Sequence, residues 1–234
     1  MEQKLEQRET KKLNVGVESI KSPNHINQDA VLVDEEHGAF GVFDGLGGYR
    51  GAEIAAALAC DVIRDRLALV PIDTSIEAIK EAVRVSLIDA HRAIRDRARE
   101  EDYFMKMCTT ATVLKIWQSK GGKRSLVLGN VGDSRAYYLS VDGKLSQITE
   151  GGDNLNQAVG DYRGTISPHI FTVDLVRIGD KILICSDGVY GQITEEKIKE
   201  ILEGERDVEK VAQRLVSVGQ EASRDDASAI VIRL

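Results

Sequence analysis

The chain has 234 residues, 42% of them hydrophobic and 29% charged, with a net charge of −7. A chain of this size can bury a full core as one large domain or two small ones. The negative balance, with Lys and Arg scattered rather than blocked, argues against a nucleic-acid surface, and no apolar run approaches the roughly 20 residues of a membrane span.

Taken in chain order, residues 1–12 are almost wholly polar and read as a tail rather than a signal peptide. Residues 13–234 then read as a single domain. Leu13-Asn-Val-Gly-Val alternates as a half-buried strand does. Ala30–Val33 and Gly38–Phe43 read as two more strands around a polar turn. Ala52–Leu69 carries apolar residues at helical spacing and is ended by Pro71. Thr74-Ser75 opens a long helix through Ile94, whose end, Arg95–Asp102, reads as charged and solvated.

After Met107 the period changes to two. Thr110–Trp117, Ser125–Val131, Arg135–Ser140 and Lys144–Thr149 read as successive strands, with turns at Gly121-Gly122 and Asp142-Gly143. Ile170–Val176 and Lys181–Cys185 read as a further pair. Helices over Thr194–Glu203 and Val208–Ala222 and a last strand, Ala229–Leu234, complete an α+β pattern of two sheets with helices outside. Cys60, Cys108 and Cys185 lie in apolar surroundings with no paired spacing, as buried reduced thiols of a cytoplasmic protein do. His37, His91 and His169 read as surface residues, and His25 as an incidental loop residue.

Four aspartates recur at the ends of apolar strands. Asp29 opens one, Asp44 and Asp187 each end one before a glycine, and Asp225 precedes the last. Asp133 lies in a glycine-flanked break. Each alone is a turn or cap residue, as Asp142 is. Together, carboxylates at the mouths of central strands converge, and clustered carboxylates repel unless a cation neutralises them. With no His or Cys cluster accompanying them, the ligands would be all oxygen, which suits Mg²⁺ or Mn²⁺. Two such ions about 4 Å apart lower the pKa of a shared water and make a nucleophile for phosphoryl transfer. Gly45, lacking a side chain, lets its carbonyl approach a metal.

The sequence resembles the metal-dependent protein serine/threonine phosphatases of type 2C in their short bacterial form. The resemblance rests on Asn27-Gln-Asp-Ala30, Val42-Phe-Asp-Gly-Leu-Gly-Gly48, Thr109-Thr-Ala-Thr112, Gly129-Asn-Val-Gly-Asp-Ser-Arg-Ala136, Asn154-Leu-Asn-Gln-Ala-Val-Gly160, Cys185-Ser-Asp-Gly188 and Arg224-Asp-Asp-Ala227, in family order. It implies a four-layer α-β-β-α sandwich, two mainly antiparallel sheets flanked by helix pairs, with a two-metal site at one end. Asp44 would bridge both ions and the Gly45 carbonyl would bind one. Asp187 and Asp225 would hold the other. Asp29 would act through metal-bound water, and Asp133 would help bind a weaker third ion. Asp44 and Asp187 would be the catalytic pair, acting through metal-bound water.

Three departures bear on substrate binding and proton delivery. The family usually places an Arg where Asn24 stands, and Asn cannot form the bidentate charged pair that suits phosphate. Leu46 stands where some members have a His, which excludes side-chain proton delivery there. Only Glu150–Asp153 remains of the family's flap. Arg50, in the glycine-rich segment after Asp44, is the candidate replacement for the missing Arg. The expected function is hydrolysis of phosphoserine or phosphothreonine in proteins, opposing a serine/threonine kinase, by a cytoplasmic monomer without nucleic-acid or membrane partners. A weakly active or inactive binding module, and a dedicated phosphatase of one regulatory protein, are the alternatives.

Overall fold

The structure, a computed structural model, describes residues 13–46, 50–71, 74–100, 106–119, 122–149 and 157–234. The polar tail, the short connection 150–153 and Asn154–Asn156 lie outside the described residues. In chain order the elements are β1 (Asn14–Ile20), β2 (Asp29–Asp34), β3 (Ala39–Asp44), α1 (Ala52–Ala68), α2 (Ile76–Glu100), β4 (Ala111–Gln118), β5 (Arg124–Val131), β6 (Arg135–Leu139), β7 (Leu145–Gln147), β8 (His169–Val173), β9 (Lys181–Cys185), α3 (Asp187–Tyr190), α4 (Glu195–Gly204), α5 (Val208–Ser223) and β10 (Ala227–Arg233).

Two five-stranded antiparallel sheets form, in the orders β1-β10-β9-β6-β7 and β2-β3-β4-β5-β8. Strand alternation divides the apolar residues among three cores. Phe40, Val42, Leu114, Leu126 and Leu128 of one sheet meet Ala136, Ile182, Ile184, Ile230 and Ile232 of the other. The opposite face of the β3 sheet, with Phe43, Val113 and Val127, packs on α1 and α2 through Ala56, Ile63, Val83 and Leu87. The outer face of the other sheet, with Tyr137, Leu183, Cys185 and Val231, packs on α4 and α5 through Ile201, Leu202, Val211 and Leu215. The result is the four-layer α-β-β-α sandwich. Central strands buried on both faces read as continuous apolar runs, which is why β3 and β9 lack alternation in the sequence.

Helix ends follow local chemistry. Thr194 caps α4 by accepting from Lys197 N–H, and Asp207 caps α5 by accepting from Glu209 N–H. The Ser75 hydroxyl accepts from Ala78 N–H at the start of α2. No helix among the described residues is long and apolar enough to cross a membrane.

Three expectations are corrected. The predicted pair over Ile170–Val176 and Lys181–Cys185 is not a hairpin: β8 pairs with β5, whereas β9 lies between β10 and β6 in the other sheet. The connection crosses between sheets, and Asp180, fully buried, fixes the corner by accepting from the Tyr138 hydroxyl and from Val141 and Arg177 N–H. The end of α2 is not solvated all round, because Ala98 is buried and Arg95 half-buried. His91 is not a surface residue. It is buried, and its Nδ1 accepts from Gly160 N–H at 3.0 Å while Nε2 donates to the Gly164 carbonyl at 2.9 Å. The three cysteines are buried, and burial pushes the Cys60 and Cys108 thiols up to about 11.

Candidate active site

Antiparallel pairing brings the aspartates to one end of the sandwich. Asp29 begins β2, Asp44 ends β3, and the two lie directly opposite in the ladder. In the facing sheet Cys185, at the end of β9, lies opposite Ala229 near the start of β10. Asp187 and Asp225 therefore leave the sheet on the same side. Asp133 occupies the corner where the chain leaves β5 for β6 and changes sheets. The loop 21–28, which carries Asn24, also changes sheets at this end, because Ile20 of β1 lies opposite Ala227.

Asp29, Asp44, Asp133 and Asp187 are half-buried, whereas Asp225 is exposed. Asp187 does not end a strand. Ser186 is extended, at φ −76° and ψ 170°, and Asp187 opens the single turn α3. A four-residue turn carries no periodicity, so the apolar run before it conceals it. Gly188 is required here, since a Cβ would lie 2.0 Å from the Asp226 carbonyl oxygen. Gly45 is required for packing as well. A Cβ would lie 2.5 Å from the Ala52 carbonyl oxygen and 2.7 Å from that of Gln28, so its missing side chain admits the start of α1. That adds a packing reason to the one read from the sequence, the approach of its carbonyl to a metal.

The cluster is electrostatically frustrated. Burial pushes the Asp29 carboxyl up to about 7, helped by Asp226 and Asp187 and opposed by hydrogen bonds from Ser228 and Ser186. Burial, then the charges of Asp29, Asp187, Asp133 and Asp225, hold Asp44 well above the usual carboxylate range. Asp187 is raised by burial and by Asp133 and Asp225, and a hydrogen bond with Asp44 offsets part of the rise. Asp133 is raised by burial, against its own N–H, the Arg135 charge and the Ser134 N–H. The Ser186 hydroxyl donates to Asp29 Oδ2 at 2.9 Å, while Asp29 Oδ1 is buried with no hydrogen-bond partner.

The aspartates gather without closing into a cage. Among the described residues, no three His, Cys, Asp or Glu side chains are grouped as a ready ligand set for one ion. The donors present nevertheless fit a hard divalent cation: they are carboxylates, mutually repelling, and include one orphaned buried oxygen.

The recurrent polar motifs form the scaffold behind the aspartates. Asp44 N–H donates to Thr110 Oγ1 at 3.0 Å, and Thr110 Oγ1 lies 2.7 Å from Ser134 Oγ. Thr112 Oγ1 and Asn130 Nδ2 both donate to the Ser134 carbonyl, at 2.9 and 3.0 Å. These buried, satisfied groups lock the Asp133 corner to the end of β3. The Tyr190 hydroxyl donates to the Asp133 carbonyl, and the Arg135 guanidinium stacks on the Tyr190 ring at 3.8 Å.

Asp226 is the residue the sequence reading passed over. It is 4% exposed and accepts from Ser22 N–H at 2.5 Å and Gln28 N–H at 2.7 Å. It thereby ties the loop bearing Asn24, and the start of β2 with Asp29, to the segment bearing Asp225. The signal was available in the doubled Asp225-Asp226, of which one is spent on backbone. His25 Nδ1 is 3.6 Å from Asp226 Oδ2. Asn24 is exposed, with its N–H on Ser22 Oγ, and Arg50 is exposed on the turn before α1.

A four-layer sandwich with an all-carboxylate cluster across the mouths of both sheets defines the class of metal-dependent phosphatase folds. The family model described as protein phosphatase 2C matches residues 16–227, and the chain belongs to that family. A Mycoplasma pneumoniae protein provisionally named a protein phosphatase is 28% identical over 222 residues, 82% of this chain and 83% of that protein. Serine/threonine phosphatase Stp of Listeria monocytogenes is 25% identical over 82% of each chain. Serine/threonine protein phosphatase PstP of Mycobacterium tuberculosis is 27% identical over 88% of this chain and 41% of its own. Among solved structures, PppA of Pseudomonas aeruginosa superposes with a TM-score of 0.78 at 24% identity, covering 94% of this chain and 97% of that one.

Proposed function

We propose that the chain hydrolyses phosphoserine or phosphothreonine in a protein substrate, with the aspartate cluster as a divalent-metal site. The observation that carries this reading is the convergence of Asp29, Asp44, Asp133 and Asp187 at one end of the sandwich, with the Asp29 Oδ1 atom buried and unpartnered. Asp44, the Gly45 carbonyl, Asp187, Asp225 and Asp29 would hold two Mn²⁺ or Mg²⁺ ions, and Asp133 a weaker third. Bound there, the ions screen the phosphate charge and lower the pKa of the attacking water. One solved structure, of the PstP catalytic domain, is a complex with two manganese ions, which supports Mn²⁺ as the first ion to try.

The chain's own groups position this chemistry. Ser186 holds one oxygen of Asp29 and leaves the other. Thr110, Thr112 and Asn130 fix the Asp133 corner, and Asp226 fixes the substrate-side loop. Asn24 would supply at most a neutral hydrogen bond to phosphate, and Arg50, exposed on the turn before α1, is the candidate guanidinium. In the cell the protein would oppose a serine/threonine kinase and act as a cytoplasmic monomer.

The experiment is calorimetric titration of Mn²⁺ beside turnover. Asp44→Ala and Asp187→Ala should abolish tight binding and activity with the fold intact. Asp133→Ala should lower turnover while the tight ions still bind. Wild-type turnover in either of the first two variants contradicts the site, and loss of all binding in the third contradicts a separate third ion.

A further inference from the structure

We propose that a cationic groove between α2 and the segment after Val159 docks an acidic stretch of the substrate protein, beside the phosphorylated residue. The inference rests on the phosphatase reading and adds to it a substrate class. The groove has a volume of about 480 Å³, and its lining includes Arg92, Arg95, Asp96 and Arg99 from α2 and Tyr162 and Thr165 from the facing loop. Three guanidinium groups thus face one carboxylate, on a chain whose net charge is −7. Lys106 adds a cation 5.9 Å from the centre of the Tyr162 ring.

The arginines are not equivalent. Arg92 and Arg99 are tied to Asp89 and Asp96 one turn back on α2. Arg95, between them, is half-buried and, among the described residues, has no carboxylate partner. A half-buried guanidinium without a counter-charge is a ready partner for an incoming carboxylate, which it binds through paired N–H donors. The groove is large enough for several side chains rather than one small anion, and an arginine cluster is a recurrent reader of acidic segments.

Its position joins it to the catalytic end. Val159 pairs with Thr109, and Thr109 with Gly45. The same segment is then clamped to α2 by His91 through Gly160 and Gly164. The groove opens alongside that clamp, so one extended chain can present phosphate to the aspartates and carboxylates to the arginines.

The test compares phosphothreonine peptides carrying a run of aspartates, before or after the phosphothreonine, with the neutral-flanked peptide. The acidic peptide should show a KM about three- to tenfold lower at low salt, with kcat unchanged, and the advantage should fade as salt rises. R92A/R95A/R99A should remove the advantage while hydrolysing p-nitrophenyl phosphate at the wild-type rate. Fluorescence anisotropy with a labelled, unphosphorylated acidic peptide reads the groove independently of turnover. Binding by the wild type and its loss in the triple variant supports the proposal. Equal KM for acidic and neutral peptides, or unaltered acidic-peptide binding by the triple variant, overturns it. Failure to hydrolyse p-nitrophenyl phosphate would overturn the phosphatase reading, leaving anisotropy to judge the groove.

Discussion

At the scale of the residue, neighbouring aspartates of similar sequence context do opposite work. Asp225 is exposed and adds its field to Asp44 and Asp187, whereas Asp226 is buried and spent on two backbone N–H groups. Removing an acceptor from a buried N–H costs about 1–3 kcal/mol. Asp226→Ala leaves two such donors unpaired and should destabilise the protein by about 2–6 kcal/mol. Asp226→Asn retains one acceptor oxygen and should cost about half as much. Urea unfolding of the two variants measures the ranking, and equal losses would mean that Asp226 contributes through charge rather than through the loop. The sequence shows that Asp225-Asp226 is acidic and near a strand. It does not show which of the two turns inward, because both side chains are the same and only the packing of the 21–28 loop distinguishes them.

At the scale of the element, the long periodic segments were legible and the crossings between sheets were not. The apolar spacing of α2 and the uninterrupted run of β3 each follow from one buried face or two, which the sequence records directly. The partner of a strand is not recorded in that way. β8 and β9 are consecutive and a few residues apart, yet the corner at Asp180 sends them to different sheets. The burial of His91 was missed for a related reason: its partners, Gly160 and Gly164, lie about 70 residues away. This clamp makes a pH prediction. Burial, with Arg95 and Arg92, lowers the pKa of His91 against the opposing pull of the Gly164 carbonyl and Asp161. A histidine whose folded pKa is depressed adds stability that is present above its ordinary value and is lost as pH falls through the lowered one. Protonation of Nδ1 also removes the acceptor for Gly160 N–H. His91→Gln, which can donate and accept at the same positions without titrating, should lose less stability than wild type between about pH 7 and pH 5. Thermal melts of both proteins across that range check it, and parallel curves would contradict it.

At the scale of the molecule, the antiparallel sandwich explains why a site exists at this end. Each sheet delivers strand ends there, and the chain changes sheets there at 21–28 and again at Asp133. Gathering buried carboxylates costs folding energy, and a bound cation offsets that cost. At a Mn²⁺ concentration 100 times the dissociation constant, one site adds about 2.7 kcal/mol to stability. For a protein of this size that is a rise in Tm of about 5–10 °C relative to the chelated protein. Asp44→Asn, which removes the charge its four acidic neighbours oppose most, should melt no lower than wild type in chelator and gain little from Mn²⁺. Scanning calorimetry distinguishes this from a merely structural aspartate, whose replacement would lower Tm under both conditions. The most direct measurement of the central claim is hydrolysis of a phosphothreonine peptide with Mn²⁺, with Mg²⁺ and with excess chelator, for wild type and Asp44→Asn. The account predicts turnover with a divalent ion, none with chelator, and a loss of about a thousandfold in the variant. Undiminished turnover in chelator, or in Asp44→Asn, would contradict it.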